Sequence, residues 1–122
     1  MPFLSKLQVE LVDQEAAEGR GSWRLIAPLV FESAVAGRTL EVPAGFVTDF
    51  ESVPRVPIVF DELGDRAAEA AAVHDWLYAS HLVDRETADK LLREAAIETG
   101  VTVTQAQLIY LGVRVFGASH WD

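Results

Sequence analysis

The stretch AAAVHDWLYASH, residues 70 to 81, sets an ionisable pair, His74 and Asp75, inside an alanine-rich apolar segment. A plain core helix has no use for two titratable neighbours there. On a helix His74 and Tyr78 lie one turn apart on a shared face, with Asp75 alongside. A histidine beside a carboxylate is a common unit of metal sites and of general-base catalysis, because the carboxylate fixes the imidazole tautomer and raises its basicity. The plainer alternative is a buried histidine bonded to backbone, with Asp75 in solvent.

Other candidates lie on either side of this pair. Asp49 falls in GFVTDFESVPR, where a strand gives way to a proline-rich turn, a favoured position for functional groups. An Asx cap holding the turn is its structural alternative, with Thr48 and Ser52 as turn formers. Ser52 lacks the glycine frame of a nucleophile elbow, which leaves it a substrate-binding candidate. Arg85, Asp89 and Arg93 repeat at one-turn spacing; on a solvated face they form an ion-pair ladder worth some tenths of a kcal/mol per pair. Tyr110 and Arg114 repeat the spacing on an apolar segment, where Arg114 is expected to meet a buried carboxylate: Asp75, Asp49 or Asp89. Their neighbours Leu108, Leu111, Val115 and Phe116 are expected in the core.

These residues offer one set of roles for catalysis. His74, Asp75 and Asp49 are the catalytic candidates, and Tyr78, Arg114, Ser52 and Tyr110 the substrate-binding ones. Asp49, His74 and Asp89 would give mixed N/O ligands to a divalent metal, zinc first, with an open position for a water of lowered pKa. None of the sequence motifs HExxH, GxxxxGK[ST], GxGxxG or the EF-hand loop occurs.

The positioning elements follow from periodicity. SKLQVELV alternates, with Leu7, Val9 and Leu11 on one face, as a half-buried strand does. WRLIAPLVFES and RTLEVPAGFVTDF read as two more strands, the first interrupted by Pro28. Three strands with short turns form a small antiparallel sheet. Pro54 and Pro57 make an irregular connector. Helices follow, one capped by Asp65 and running to about Ser80, one opened by Asp84 and ended at Gly100, and one with a Thr104–Gln107 capping box. Strands followed by helices predict an α+β fold in a single domain over residues 1–122, with strands at about 5–50 and helices at about 65–118.

The chain has 122 residues, half of them hydrophobic, and no cysteine, so disulfides and thiolate chemistry are excluded. Its 19 acidic and 10 basic residues leave a net charge of −9. Such a surface gains nothing from counterion release, so neither nucleic acid nor anionic membrane is an expected partner. No segment reaches the roughly 20 apolar residues of a membrane span. The beginning, MPFLSKLQVELVDQE, has no signal-length apolar run, which predicts a soluble protein made in the cytoplasm.

Taken in order, GFVTDFESVPR, AAVHDWLY, RETAD and YLGVRVFG resemble a phage- and prophage-associated family, domain of unknown function thirteen-fifty-three. The match runs through Asp49, Ser52, Pro54 and Arg55, then His74, Asp75, Leu77 and Tyr78. It continues through Arg85, Ala88 and Asp89 to Tyr110, Val113, Arg114 and Gly117. It covers about residues 43 to 121. Glu51 departs from the pattern, which has a small residue there. The resemblance implies a phage setting and this choice of residues rather than a reaction. The setting adds the host cytoplasm as place of synthesis and the virion as destination, with phage structural proteins or a host protein as partners.

Two functions fit these residues. One is a small hydrolase, metal-assisted or driven by His74 as general base, with Tyr78 and Arg114 stabilising developing charge. The other is a non-enzymatic virion, tail or assembly component, in which the same residues form a buried polar network joining helices to the sheet edge.

Overall fold

The structure, a computed structural model, describes residues 3–15, 21–49 and 68–121. Among them the order is β1 (Val9–Asp13), β2 (Ser22–Leu25), β3 (Leu29–Ser33), β4 (Arg38–Val42), β5 (Val47–Thr48), α1 (Ala68–Ser80), α2 (Arg85–Glu98), α3 (Val103–Phe116) and α4 (Ala118–Trp121). An antiparallel β region thus precedes three longer helices, the expected α+β arrangement. The strands form two sheets instead of one, β1-β2-β5 and the hairpin β3-β4.

Each of the two longer expected strands is split. Proline cannot donate to a ladder, and Pro28 lies in the bend that separates β2 from β3. Pro43 and Gly45, the latter at φ +93°, turn the chain between β4 and β5. That turn folds β5 back beside β2, pairing Trp23 with Thr48 and Arg24 with Val47. It thereby delivers Thr48 to α1, where it meets Asp75. In β1 the alternation ends early: the register shifts between Leu11 and Asp13, and Leu11 is exposed at the sheet's end rather than in the core.

The core joins both layers. Leu25, Leu29, Phe31, Leu40 and Val42 from the strands meet Val73, Leu77, Leu91, Leu92 and Ile109 from the helices. Helix α1 is buried continuously from Ala70 to His74 and again at Leu77 and Tyr78. Its three consecutive alanines let neighbouring backbones come close from several sides, which suits a helix apolar around most of its circumference. It packs against α2 and touches β4 and β5. Helix α2 buries Ala88, Asp89, Leu91, Leu92, Ala95 and Ala96, a stripe at the 3.6-residue period.

Two local expectations are settled in detail. Asp84 does cap α2, accepting from Thr87 N. The capping box of α3 is Thr102–Gln105, two residues before the expected pair. The run TVTQAQ holds two overlapping boxes, and the buried Val101 just after Gly100 ties the chain down early enough to use the first. The expected cap Asp65 lies outside the described residues. One expectation fails outright: Leu108, Leu111, Val115 and Phe116 are exposed, and the buried side of α3 is Ala106, Ile109 and Val113.

Glu94 binds the hairpin to α2. Its carboxylate accepts from Ser33 Oγ at 2.7 Å, Ala34 N at 2.8 Å and Val35 N at 3.3 Å. It thereby satisfies the turn's backbone donors, and Ser33 is itself buried. Glu94→Ala is expected to cost about 2 kcal/mol, the scale of hydrogen bonds to a charged group. Denaturant melts check the magnitude, and amide exchange at Ala34 should speed up in the variant.

Candidate functional site

Asp89 is the centre of the polar cluster. It has no solvent exposure at all, although its neighbours Arg85 and Arg93 at one-turn spacing make it look like part of a solvated ladder. Its Oδ1 accepts from Tyr78 Oη at 2.6 Å and lies 2.7 Å from His74 Nε2. Its Oδ2 accepts from Arg114 Nη1 at 2.8 Å. The one-turn offset of His74 and Tyr78 on α1 brings both donors to the same oxygen. Helix α3 supplies the third donor.

Arg85 forms a second layer of the same cluster. Its Nε donates to Tyr78 Oη at 3.2 Å and stands 4.0 Å from Asp89 Oδ2. Its Nη2 donates to the carbonyls of Val113 and Arg114, both at 2.8 Å. Those carbonyls belong to the last turn of α3, where a cation suits the helix dipole; Val113 O also accepts from Gly117 N. Tyr78 thus donates to Asp89 and accepts from Arg85, so its hydroxyl is used in both directions.

The C-terminal end of the chain closes over the cluster. The Trp121 ring meets Tyr78 edge-on at 5.1 Å and stacks on His81 at 4.0 Å. His81 takes the left-handed conformation, φ +55°, and its Nε2 lies 2.6 Å from Trp121 O. Gly117 is required by space rather than by backbone angle: a Cβ there would stand 2.6 Å from Tyr78 Oη and would also crowd Val113 O. Neither Gly117 nor the carbonyl-capping role of Arg85 was anticipated from residue chemistry; the run VFG was the only signal for the glycine.

Charge follows from this geometry. Burial pushes the Asp89 carboxyl up, but hydrogen bonds from His74 and Tyr78, the charge of His74 and the bond from Arg114 outweigh it. The net effect holds Asp89 below the usual carboxylate range. Asp89 is therefore ionised and can only accept. Nε2 of His74 is accordingly the donor in the bond between them. Burial first, and the bond to Asp89 second, push Tyr78 up to about 12. The bond to Asp89 raises Arg114 above its already high value.

The remaining candidates are distributed elsewhere. Thr48, buried at the end of β5, donates through Oγ1 to Asp75 Oδ2, so Asp75 ties α1 to the sheet. The carboxylate that holds His74 is Asp89. Asp49 is half-buried next to Thr48. Tyr110 belongs to the α2–α3 surface, where the Arg93 guanidinium lies 4.3 Å over its ring and bonds Gln107 at 2.9 Å. Ser52 lies outside the described residues. Among the described residues no three His, Asp or Glu side chains are grouped to hold a metal ion. Of the expected ligands Asp49, His74 and Asp89, the last two are bonded to each other, and Nε2 is occupied by that bond.

The family model described as protein of unknown function (DUF1353) matches residues 23–113. The chain belongs to that family. The match begins earlier than the motifs suggested, taking in β2, β3 and β4. It includes Thr48, Asp75, His74, Tyr78, Arg85 and Asp89, and ends just short of Arg114 and Gly117. No curated protein and no solved structure matches the chain. The family's matched region therefore contains the Asp89 acceptor and three of the residues around it, whereas Arg114 comes from beyond it.

The cluster predicts a pH profile at both ends. Asp89 binds a proton less readily folded than unfolded, so its contribution is present above the unfolded value of about 3.9 and is lost as pH falls through the lower folded value. Tyr78 has the opposite displacement. Its contribution is present below about 10 and is lost as pH rises toward about 12. Melts across pH should show Asp89→Asn destabilised by about 3 kcal/mol near neutrality, with a flatter acid limb. Tyr78→Phe should cost about 1 kcal/mol and lose most of the alkaline limb.

Proposed function

We propose that the protein is a non-enzymatic phage component, a virion, tail or assembly protein, in which the Asp89 cluster fixes how three helices pack. The observation that carries this reading is the saturation of Asp89. Both of its oxygens are engaged by side chains from α1 and α3, at zero exposure, and His74 is only 2% exposed. A general base must reach the proton it removes, directly or through one water. His74 instead spends Nε2 on a buried carboxylate. Satisfied polar networks of this type give a core one preferred arrangement. The phage setting rests on the resemblance of the motifs, and it makes other phage structural proteins or a host protein the partners, in the virion or the host cytoplasm.

A metal-assisted hydrolase is the second reading. It is favoured by the half-buried Asp49 and Asp75 beside the Thr48 junction, which keep carboxylates near solvent at a strand end. In that case Asp49 and Asp75 would be the ligating or basic groups, and zinc the first metal to test.

Metal analysis of protein purified without chelator, beside His74→Ala and Asp49→Ala, separates the two. The structural reading expects no near-stoichiometric transition metal in any of the three, a strongly lowered melting temperature for His74→Ala, and the chain among the proteins of purified particles. Stoichiometric zinc that disappears in a folded Asp49→Ala variant would overturn it in favour of the hydrolase.

A further inference from the structure

We propose that the outward side of α3 is the interface of a symmetric dimer of this chain. Helix α3 is apolar on two nearly opposite sides. Ala106, Ile109 and Val113 face the chain's own core. Leu108, Leu111, Gly112 and Val115, at i, i+3, i+4 and i+7, face the other way, with Phe116 flanking them. Val115 and Phe116 are 68% and 76% exposed, and Leu108 and Leu111 about half. A surface helix normally carries charge on the side away from its core. This one carries none.

Charge identifies the occupant. With a net charge of −9, two copies repel each other across most of their surfaces. Helix α3 holds no acidic residue, and the side chain of its one charged residue, Arg114, is committed to Asp89. On this face two copies therefore meet no acidic side chain of α3. A basic partner would gain more from the acidic surfaces elsewhere.

The shape of the face suits the same occupant. Leu108, Leu111 and Val115 have the heptad spacing of a helix-pairing seam. Gly112 beside them is a poor helix former compared with alanine, and a close backbone approach gives it a use. In a two-fold pairing the axis passes near the middle of the patch, at Leu111, so each copy presents the same residues to the other. Two such faces would remove on the order of 1,000 Å2 from water, the lower bound for a specific interface. This inference concerns a surface apart from the Asp89 cluster and does not depend on either functional reading.

Sedimentation of the full chain over a range of micromolar concentrations tests it. The expected result is an apparent mass rising toward twice that of one chain, further favoured by added salt, which screens the repulsion. Leu111→Glu should keep the single-chain mass throughout, with an unchanged circular dichroism spectrum. Should that variant unfold, Val115→Glu serves the same purpose. Leu82→Glu, an exposed hydrophobic position away from the face, should dimerise as the parent does. A parent that stays at single-chain mass at every concentration overturns the proposal. So does dimerisation that survives a folded Leu111→Glu or Val115→Glu.

Discussion

A carboxylate without solvent contact has to be answered from within the protein, and in this fold that demand falls on Asp89. Removing an ion from water costs several kcal/mol even after relaxation, and the cost is offset only when every lone pair finds a well-placed donor. Here the donors come from separate elements: His74 and Tyr78 from α1, Arg114 from α3. Sliding α1 along α2 by a single residue would swing both donors away from Oδ1. Tilting α3 would withdraw the guanidinium from Oδ2. Apolar contacts among Ala70, Ala95, Ile109 and their neighbours tolerate small shifts of that kind, because dispersion is not directional. The charged centre does not, and so it selects one arrangement from those the apolar core permits.

The two layers are joined by the same device on a smaller scale. Thr48 at the end of β5 donates to Asp75 on α1, and the β3–β4 turn donates to Glu94 on α2. Each tie pairs a helix carboxylate with donors at the end of a strand, where the ladder has stopped and backbone groups need partners. The helices therefore carry the acceptors and the strands bring the donors. Arg85 reverses the polarity at the other end of the helical layer, donating to carbonyls that end α3. Termini of secondary structure are thus satisfied by side chains from the next layer, which makes the order of the layers part of the hydrogen-bond inventory.

How far residue types alone reveal this differs from one residue to the next. The shared face of His74 and Tyr78 follows from helical geometry, and an acidic partner for Arg114 follows from the cost of a cation on an apolar helix. Asp89 as a possible ligand could be named, but its complete burial could not be read. In RETADKLLRE its spacing from Arg85 and Arg93 is what a solvated ladder has, and only the position of α1 distinguishes the cases. Gly117 has an ordinary helical backbone, so no conformational signature announces it; the Tyr78 hydroxyl excludes a side chain there. The split strands were half legible. Pro28 marked an interruption, whereas the fold-back of β5 onto β2 depends on Gly45, and one glycine after a proline fits either a bulge or a full turn.

The misjudged side of α3 has a different origin, and it bears on what the protein does. Periodicity reports that residues avoid water without reporting which surface covers them. Leu108, Leu111 and Val115 carry the same pattern as Ala106, Ile109 and Val113, displaced around the helix, and the larger side chains are the natural choice for the core. The structure takes the smaller set inward, because Arg114, anchored on Asp89, fixes how α3 is rotated about its axis. With that rotation set, the larger residues are turned outward whatever their hydrophobicity. The ion pair of the buried Asp89 with Arg114 and the exposed apolar face are then two consequences of one constraint: the contact that fixes the helix within its own chain also turns its other side outward.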